Sequence, residues 1–191
     1  MITTSPVNIY AESTPNPNAM KFVANKMILR GSKDFPDSNS AAGNAFVSPF
    51  FAFSFVKGVF IADNYITITK DEQSDWDDIL QILKEFIRAT FDEGRELFLA
   101  DSTDPEKTAP QMGANDIENK IIDLLEEYIR PAVEGDGGAI QFKSFHEGVV
   151  TVVLQGACSG CPSSTLTLKA GIENLLKRMI PEVTEVVSEA Q

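Results

Sequence analysis

The 191-residue sequence predicts an α+β fold of two small domains, each a short β-sheet packed with helices, joined by a proline-containing linker. Three observations predict it. Pairs of β-branched segments separated by short turns occur in both halves, and each half also carries a long amphipathic helical pattern. Between them the periodicity lapses over a polar stretch from Ala100 to Pro110 that holds Pro105 and Pro110, the composition of a domain boundary. The expected limits are 1–93 for the first domain, 94–113 for the linker and 114–191 for the second.

In the first domain, Val7 to Tyr10 and Met20 to Val23 read as strands around the turn-forming Ser13-Thr14-Pro15-Asn16-Pro17-Asn18. Ser38 to Asn44 is a loop. Ser48-Pro49 reads as an N-cap with proline at the first helical position, opening a helix whose stripe of Phe50, Phe51, Phe53 and Phe55 belongs to the core. Val59 to Ala62 and Tyr65 to Thr69 flank Asp63-Asn64, a two-residue turn that tolerates positive φ, so a hairpin is expected. Ser74 is a candidate N-cap. Asp75, Asp77 and Asp78 suit the positive end of a helix carrying Ile79, Leu83, Phe86 and Ile87, with Trp76 packing at its start.

In the second domain, Asn115 and Glu118 have capping-box spacing ahead of Ile117, Ile121, Leu124, Leu125 and Tyr128, a helix expected to stop at Pro131. A hairpin follows, from Ala139 to Phe145 and Val149 to Leu154 around His146-Glu147-Gly148. Pro162 suits the first turn of a helix carrying Leu168, Ile172, Leu175, Leu176 and Met179, and Val183 to Val187 can close the sheet.

Composition narrows function. A content of 43% hydrophobic residues with 13 Phe is ample for packed cores. The formal net charge of -12, without clustered Lys or Arg, excludes a nucleic-acid partner, and the apolar stretch from Phe46 to Phe60 is too short and interrupted to span a membrane. Met1 to Pro6 shows neither a basic region leading into an apolar one nor the Arg-rich character of a transit peptide. With two cysteines and no disulfide framework, a bacterial-type cytoplasm is expected, and a mitochondrial matrix less so.

The chemistry concentrates in Gly156-Ala157-Cys158-Ser159-Gly160-Cys161-Pro162-Ser163-Ser164, which holds both cysteines. Two thiols three positions apart can face one metal ion, but a tetrahedral metal or an iron-sulfur cluster generally wants four thiolates. His146 is the single histidine, at a strand end. A complete site therefore calls for a second copy, paired across a two-fold axis, an arrangement suited to a carrier that gives its cluster away. Gly156 and Gly160 give the loop freedom to turn both sulfurs together, and the following helix start should favour thiolates and lower the cysteine pKa values. Ser159, Ser163 and Ser164 are possible hydroxyl donors or ordinary caps. Dithiol exchange of the thioredoxin kind is the rival, although the motif follows a hairpin rather than a βαβ pattern and no proline lies between the cysteines. Zinc bridging two subunits is a third reading. Glu134 to Gly138 lacks the Lys and Ser or Thr of a phosphate cradle, and reads as a tight turn under the cysteine loop.

Gly156 to Ser164, read with Arg130-Pro131-Ala132-Val133-Glu134-Gly135-Asp136-Gly137-Gly138, resembles the C-terminal domain of NifU-like iron-sulfur scaffold proteins. Ser13 to Phe22, Val56 to Phe60 and Tyr65 to Lys70 resemble the Nfu N-terminal domain, in the order found in Nfu proteins. The resemblance implies a non-enzymatic carrier. It implies a 4Fe-4S cluster held by Cys158 and Cys161 of two protomers, a homodimer formed through that cluster, upstream assembly machinery that loads it, and apo iron-sulfur proteins that receive it. It assigns no chemistry to named residues of the first domain.

Overall fold

The computed structural model describes residues 7–92, 115–159 and 162–190, with the backbone alone for 162–165 and 190. The expected linker, with Leu97, Phe98 and Leu99, lies outside the described residues, as do Met1 to Pro6, Gly160 and Cys161.

The first domain is a five-stranded antiparallel sheet. Its strands are β1 (Ile9–Ser13), β2 (Ala19–Ala24), β3 (Ser32–Phe35), β4 (Val56–Ala62) and β5 (Tyr65–Lys70), in the spatial order β1-β2-β5-β4-β3. Asp63 takes φ 39° in the β4–β5 turn, as the hairpin requires. Alternation gives the sheet two distinct faces. Phe22, Phe35, Val59, Ile61, Ile66 and Ile68 point to one side and are buried against α1 (Trp76–Asp92) through Ile79, Leu83, Ile87 and Phe91. Each such side chain contributes about 2 kcal/mol by leaving water.

The aromatic stripe departs from a helix. Ser48–Ala52 is a single 3-10 turn, and the side-chain oxygen of Asn44 accepts from the N–H groups of Phe46 and Val47 at 3.0 and 2.9 Å. The core assignment holds: Phe46 and Phe50 are fully buried, and Phe51, Phe53 and Phe55 pack against the same core. Asp75, not Ser74, caps α1, its carboxylate accepting from Asp77 N–H at 3.0 Å; Ser74 N–H instead donates to Asp71. β3 was not expected from the sequence. Its Ser-Lys-Asp-Phe composition belongs to a short, charged edge strand rather than to a β-branched run.

The second domain opens with α2 (Asp116–Leu124), capped by Asn115, whose side chain accepts from Ile117 and Glu118 N–H at 3.1 and 3.0 Å. The helical path does not stop at Pro131. A π-turn over Leu125–Ile129 lets Arg130 N–H reach Leu125 O, and the path continues into α3 (Arg130–Gly135) with Pro131 in its first turn. Proline lacks an N–H and its ring crowds the carbonyl four residues back; the wider turn makes room for it.

β6 (Gly138–His146) and β7 (Val149–Gly156) then form an antiparallel hairpin, and β8 (Glu185–Ala190) joins β7 in parallel after α4 (Pro162–Met179) crosses over. Ile121, Val133, Val150, Val152, Leu154, Ile172 and Leu176 fill this second core. Two sheets packed with helices make an α+β protein, as expected. Among the described residues no helix is long and apolar enough to cross a membrane.

Candidate metal centre

β7 ends at Gly156, which takes φ +65°, and the chain turns through Ala157, Cys158 and Ser159 before α4 begins. Ser159 closes this turn twice, its N–H and its hydroxyl donating to Gly156 O at 3.2 and 2.9 Å. Below the turn lies the α3–β6 connection, as expected of Glu134 to Gly138. Ala157 N–H donates to Gly137 O at 3.3 Å, which ties the two segments together.

Cys158 is 5% exposed and belongs to the second core. Its sulfur points toward Gly138, so closely that a methyl group on Gly138 would stand 2.8 Å from Sγ and 2.6 Å from Gln155 O. Only glycine fits there. Burial pushes the Cys158 thiol up to about 12, and the nearby Asp136 carboxylate adds to the effect. The expectation of a lowered cysteine pKa is therefore overturned for Cys158: removal of the sulfur from water outweighs the helix start that should favour a thiolate. Cys161 lies outside the described residues.

His146 is exposed at the far end of β6 from Gly138, about 25 Å away along the strand, so it does not approach Cys158. One sequence argument against dithiol exchange fails, because β7, α4 and β8 do form a parallel βαβ unit around the motif.

The sequence reading missed the groups of the first domain that touch this loop. Asn16 Nδ2 donates to Ala157 O at 3.1 Å, Thr67 Oγ1 to Gly137 O at 2.7 Å, Tyr65 OH to Gly138 O at 3.1 Å, and Lys21 Nζ to Glu134 O at 3.0 Å. Pro15 and Asn16 line a shallow recess together with Asp136, Ala157, Cys158 and Leu168. The signal was present. Lys21 and Thr67 are polar residues at alternating positions of otherwise apolar strands, and such a face needs a polar cover when it is buried.

Comparison with known proteins reaches both domains. Residues 9–94 match the family model of the scaffold protein Nfu/NifU N-terminal domain, and residues 121–187 match the NifU-like domain. NifU-like protein 5, mitochondrial, of Arabidopsis thaliana is 39% identical over 189 residues, covering 95% of this chain and 67% of that protein. The NFU1 iron-sulfur cluster scaffold homolog, mitochondrial, of Homo sapiens is 38% identical over 184 residues, covering 93% of this chain and 70% of that protein. The chain thus spans about two thirds of the length of these relatives. A solution structure of a NifU-like protein from Saccharomyces cerevisiae superposes with a TM-score of 0.46 at 21% identity, covering 53% of this chain and 92% of that one.

The chain belongs to the NifU-like family of iron-sulfur cluster scaffold proteins. Its relatives correct one expectation. They are named as mitochondrial proteins, which points to the mitochondrion rather than to a bacterial-type cytoplasm. Two cysteines without a disulfide framework indicate a reducing compartment without saying which, and so short a stretch as Met1 to Pro6 cannot rank the mitochondrial matrix below the cytoplasm.

Proposed function

We propose that this chain is a carrier whose cargo is a 4Fe-4S cluster, held by Cys158 and Cys161 of two protomers and passed to apo iron-sulfur proteins after loading by upstream assembly machinery. In this reading residues 1–93 form one domain, 94–113 link it to the next, and 114–191 carry the thiols. One observation carries the reading: a family scaffold with two cysteines per chain has one of them seated at the β7–α4 junction, where a glycine-flanked turn can reorient it. The cargo demands twice the thiolates that one chain owns.

The chemistry follows from the residues. To ligate iron, each thiol gives up its proton, and Cys158 must first leave the Gly138 surface, since a buried thiolate is unfavourable there. Outside that surface the N–H groups at the start of α4 favour the anion. Cysteines of a recipient protein then replace the four ligands one at a time, and each carrier thiolate takes a proton back as it is displaced. A cargo shared between two chains is exposed as they part.

Anaerobic reconstitution tests this. Iron, sulfide and native mass should give one 4Fe-4S cluster per two chains, with loss of loading in Cys158→Ala and in Cys161→Ala. A loaded monomer ligated by its own atoms alone overturns the reading. The βαβ setting keeps dithiol exchange as the second reading, and iron-free turnover of a disulfide substrate by the monomer would favour it.

A further inference from the structure

The face of the first sheet that turns away from α1 carries a transverse row that crosses every strand. Register places Glu12 beside Lys21, Lys21 beside Thr67, Thr67 beside Phe60, and Phe60 beside Asp34, across all five strands. The next row on the same face holds Val23, Tyr65 and Ala62. This face lies on the cysteine loop.

Glu12 pairs with Lys21 at 3.4 Å, and Lys21, Thr67, Tyr65 and Asp34 find backbone partners in the second domain. Lys21 donates to Glu134 O and to Gly135 O, at 3.0 and 3.4 Å, supplying the cation that a helix C-terminus favours to the end of α3 from a different domain. Thr67 and Tyr65 take Gly137 O and Gly138 O, and the Asp34 carboxylate accepts from Gly156 N–H. The Phe60 ring sits against Gly156, where a methyl group would come within 2.8 Å of it. Val23, Phe60, Ala62 and Tyr65 pack with Ala139 as a small separate apolar cluster.

Asn16 completes the arrangement. It is 3% exposed, its side-chain oxygen accepts from Asn18 N–H at 3.0 Å, and its amide nitrogen is left to hold Ala157 O, the residue before Cys158. Trp76 steadies this turn by donating to Pro17 O at 2.8 Å. The contacts therefore grip both sides of the cysteine, through Gly137 and Gly138 beneath it and Gly156 and Ala157 before it.

We propose that this face is a clasp: docked, it holds the cysteine loop with Cys158 turned inward against Gly138, and its release lets two chains share one cargo cluster. The proposal rests on the reading of Cys158 as a cluster ligand. In the docked state the sulfur faces the chain's own core rather than a second protomer. The docking is suited to reversal, because around a small apolar centre it consists of single side-chain to backbone hydrogen bonds, most of them donors on carbonyls, each worth about 1 kcal/mol net in water.

Alkylation of Cys158 by iodoacetamide in the iron-free full-length chain, read by peptide mass, tests this without any cluster. In the wild type Cys158 should react at least about tenfold slower than in the urea-unfolded chain. The double variant Asn16→Ala/Thr67→Val should react about thirtyfold faster than wild type, the loss of two hydrogen bonds, with hydrogen exchange of the α1 amides unchanged. Phe60→Arg, which drives a charge against Gly156, should do the same. Static burial inside the second domain predicts slow alkylation in every variant, and that result overturns the clasp; so does a wild-type chain that reacts at the unfolded rate. If Cys158 is freed as expected but reconstitution still yields no shared cluster, the ligand reading fails while the docked contact stands.

Discussion

One face of the first sheet meets α1 through Phe22, Ile61, Ile66 and Ile68; the other meets the second domain through Lys21, Thr67, Tyr65 and Asp34. The two faces belong to the same strands and differ only in which alternate residue points where. The apolar face gains from area alone and is indifferent to direction, so it secures the domain. The other face adds to the small apolar cluster around Phe60 a set of hydrogen bonds that gain only when each donor finds its acceptor, so it recognises one particular surface. The same backbone thus serves permanence on one side and recognition on the other.

The largest way to break this contrast is on the apolar side. Leu83, fully buried on α1, should lose about 3 kcal/mol of stability as Leu83→Ala, seen as a lower unfolding midpoint in urea, with Cys158 alkylation under native conditions left at the wild-type rate. A dependence of alkylation on Leu83 would erase the distinction between the faces.

Asp34 gives an intermediate effect of opposite sign. Burial raises its carboxyl from 3.8 to about 6, against the hydrogen bonds from Phe35 and Gly156 N–H. The folded state therefore holds this proton more tightly than the unfolded chain. The contribution of Asp34 is fully present below pH about 4 and is lost as pH rises through 6. Asp34→Asn should add about 2 kcal/mol at pH 7, after an allowance for solvent screening, and add nothing below pH 4. Urea titrations of both proteins from pH 3.5 to 7.5 read the difference directly; a gain that does not vary with pH would show that the charge is not its source.

The smallest effect falls on a single polar contact. Thr67→Val keeps the shape of the side chain but leaves Gly137 O without its 2.7 Å donor, and should cost about 1 kcal/mol. Faster hydrogen exchange at Ala157, whose N–H shares that carbonyl, should accompany it while exchange in α1 stays unchanged.

Much of this molecule was legible in its sequence where a local rule applied. Asp63-Asn64 gave the hairpin turn, Asn115 gave the cap of α2, and the spacing of Ile79, Leu83 and Ile87 gave α1 and its buried side. The failures came where a distant partner decides the outcome. β3 has no strand-like composition of its own and exists because Phe35 and Asp34 pair with β4. Pro131 did not end a helix because the π-turn over Leu125–Ile129, just before it, absorbed it. At the site, the motif located Cys158, but the direction of its pKa depended on which way the sulfur turned, and that is set by Gly138 across the hairpin. Lys21, Tyr65 and Thr67 lay in segments noticed for their family resemblance, yet nothing local to them names the carbonyls they hold.

Lys21 and its neighbours leave a chemical imprint on the surface they cover. When the sheet departs, the oxygens of Glu134, Gly135, Gly137, Gly138 and Ala157 face outward together, a patch rich in acceptors that water satisfies loosely. Whatever next settles beside the cysteines meets a mould that asks for amines, amides and hydroxyls at fixed spacings. The second domain thereby carries, written in its own main chain, the negative of the hand that closes it.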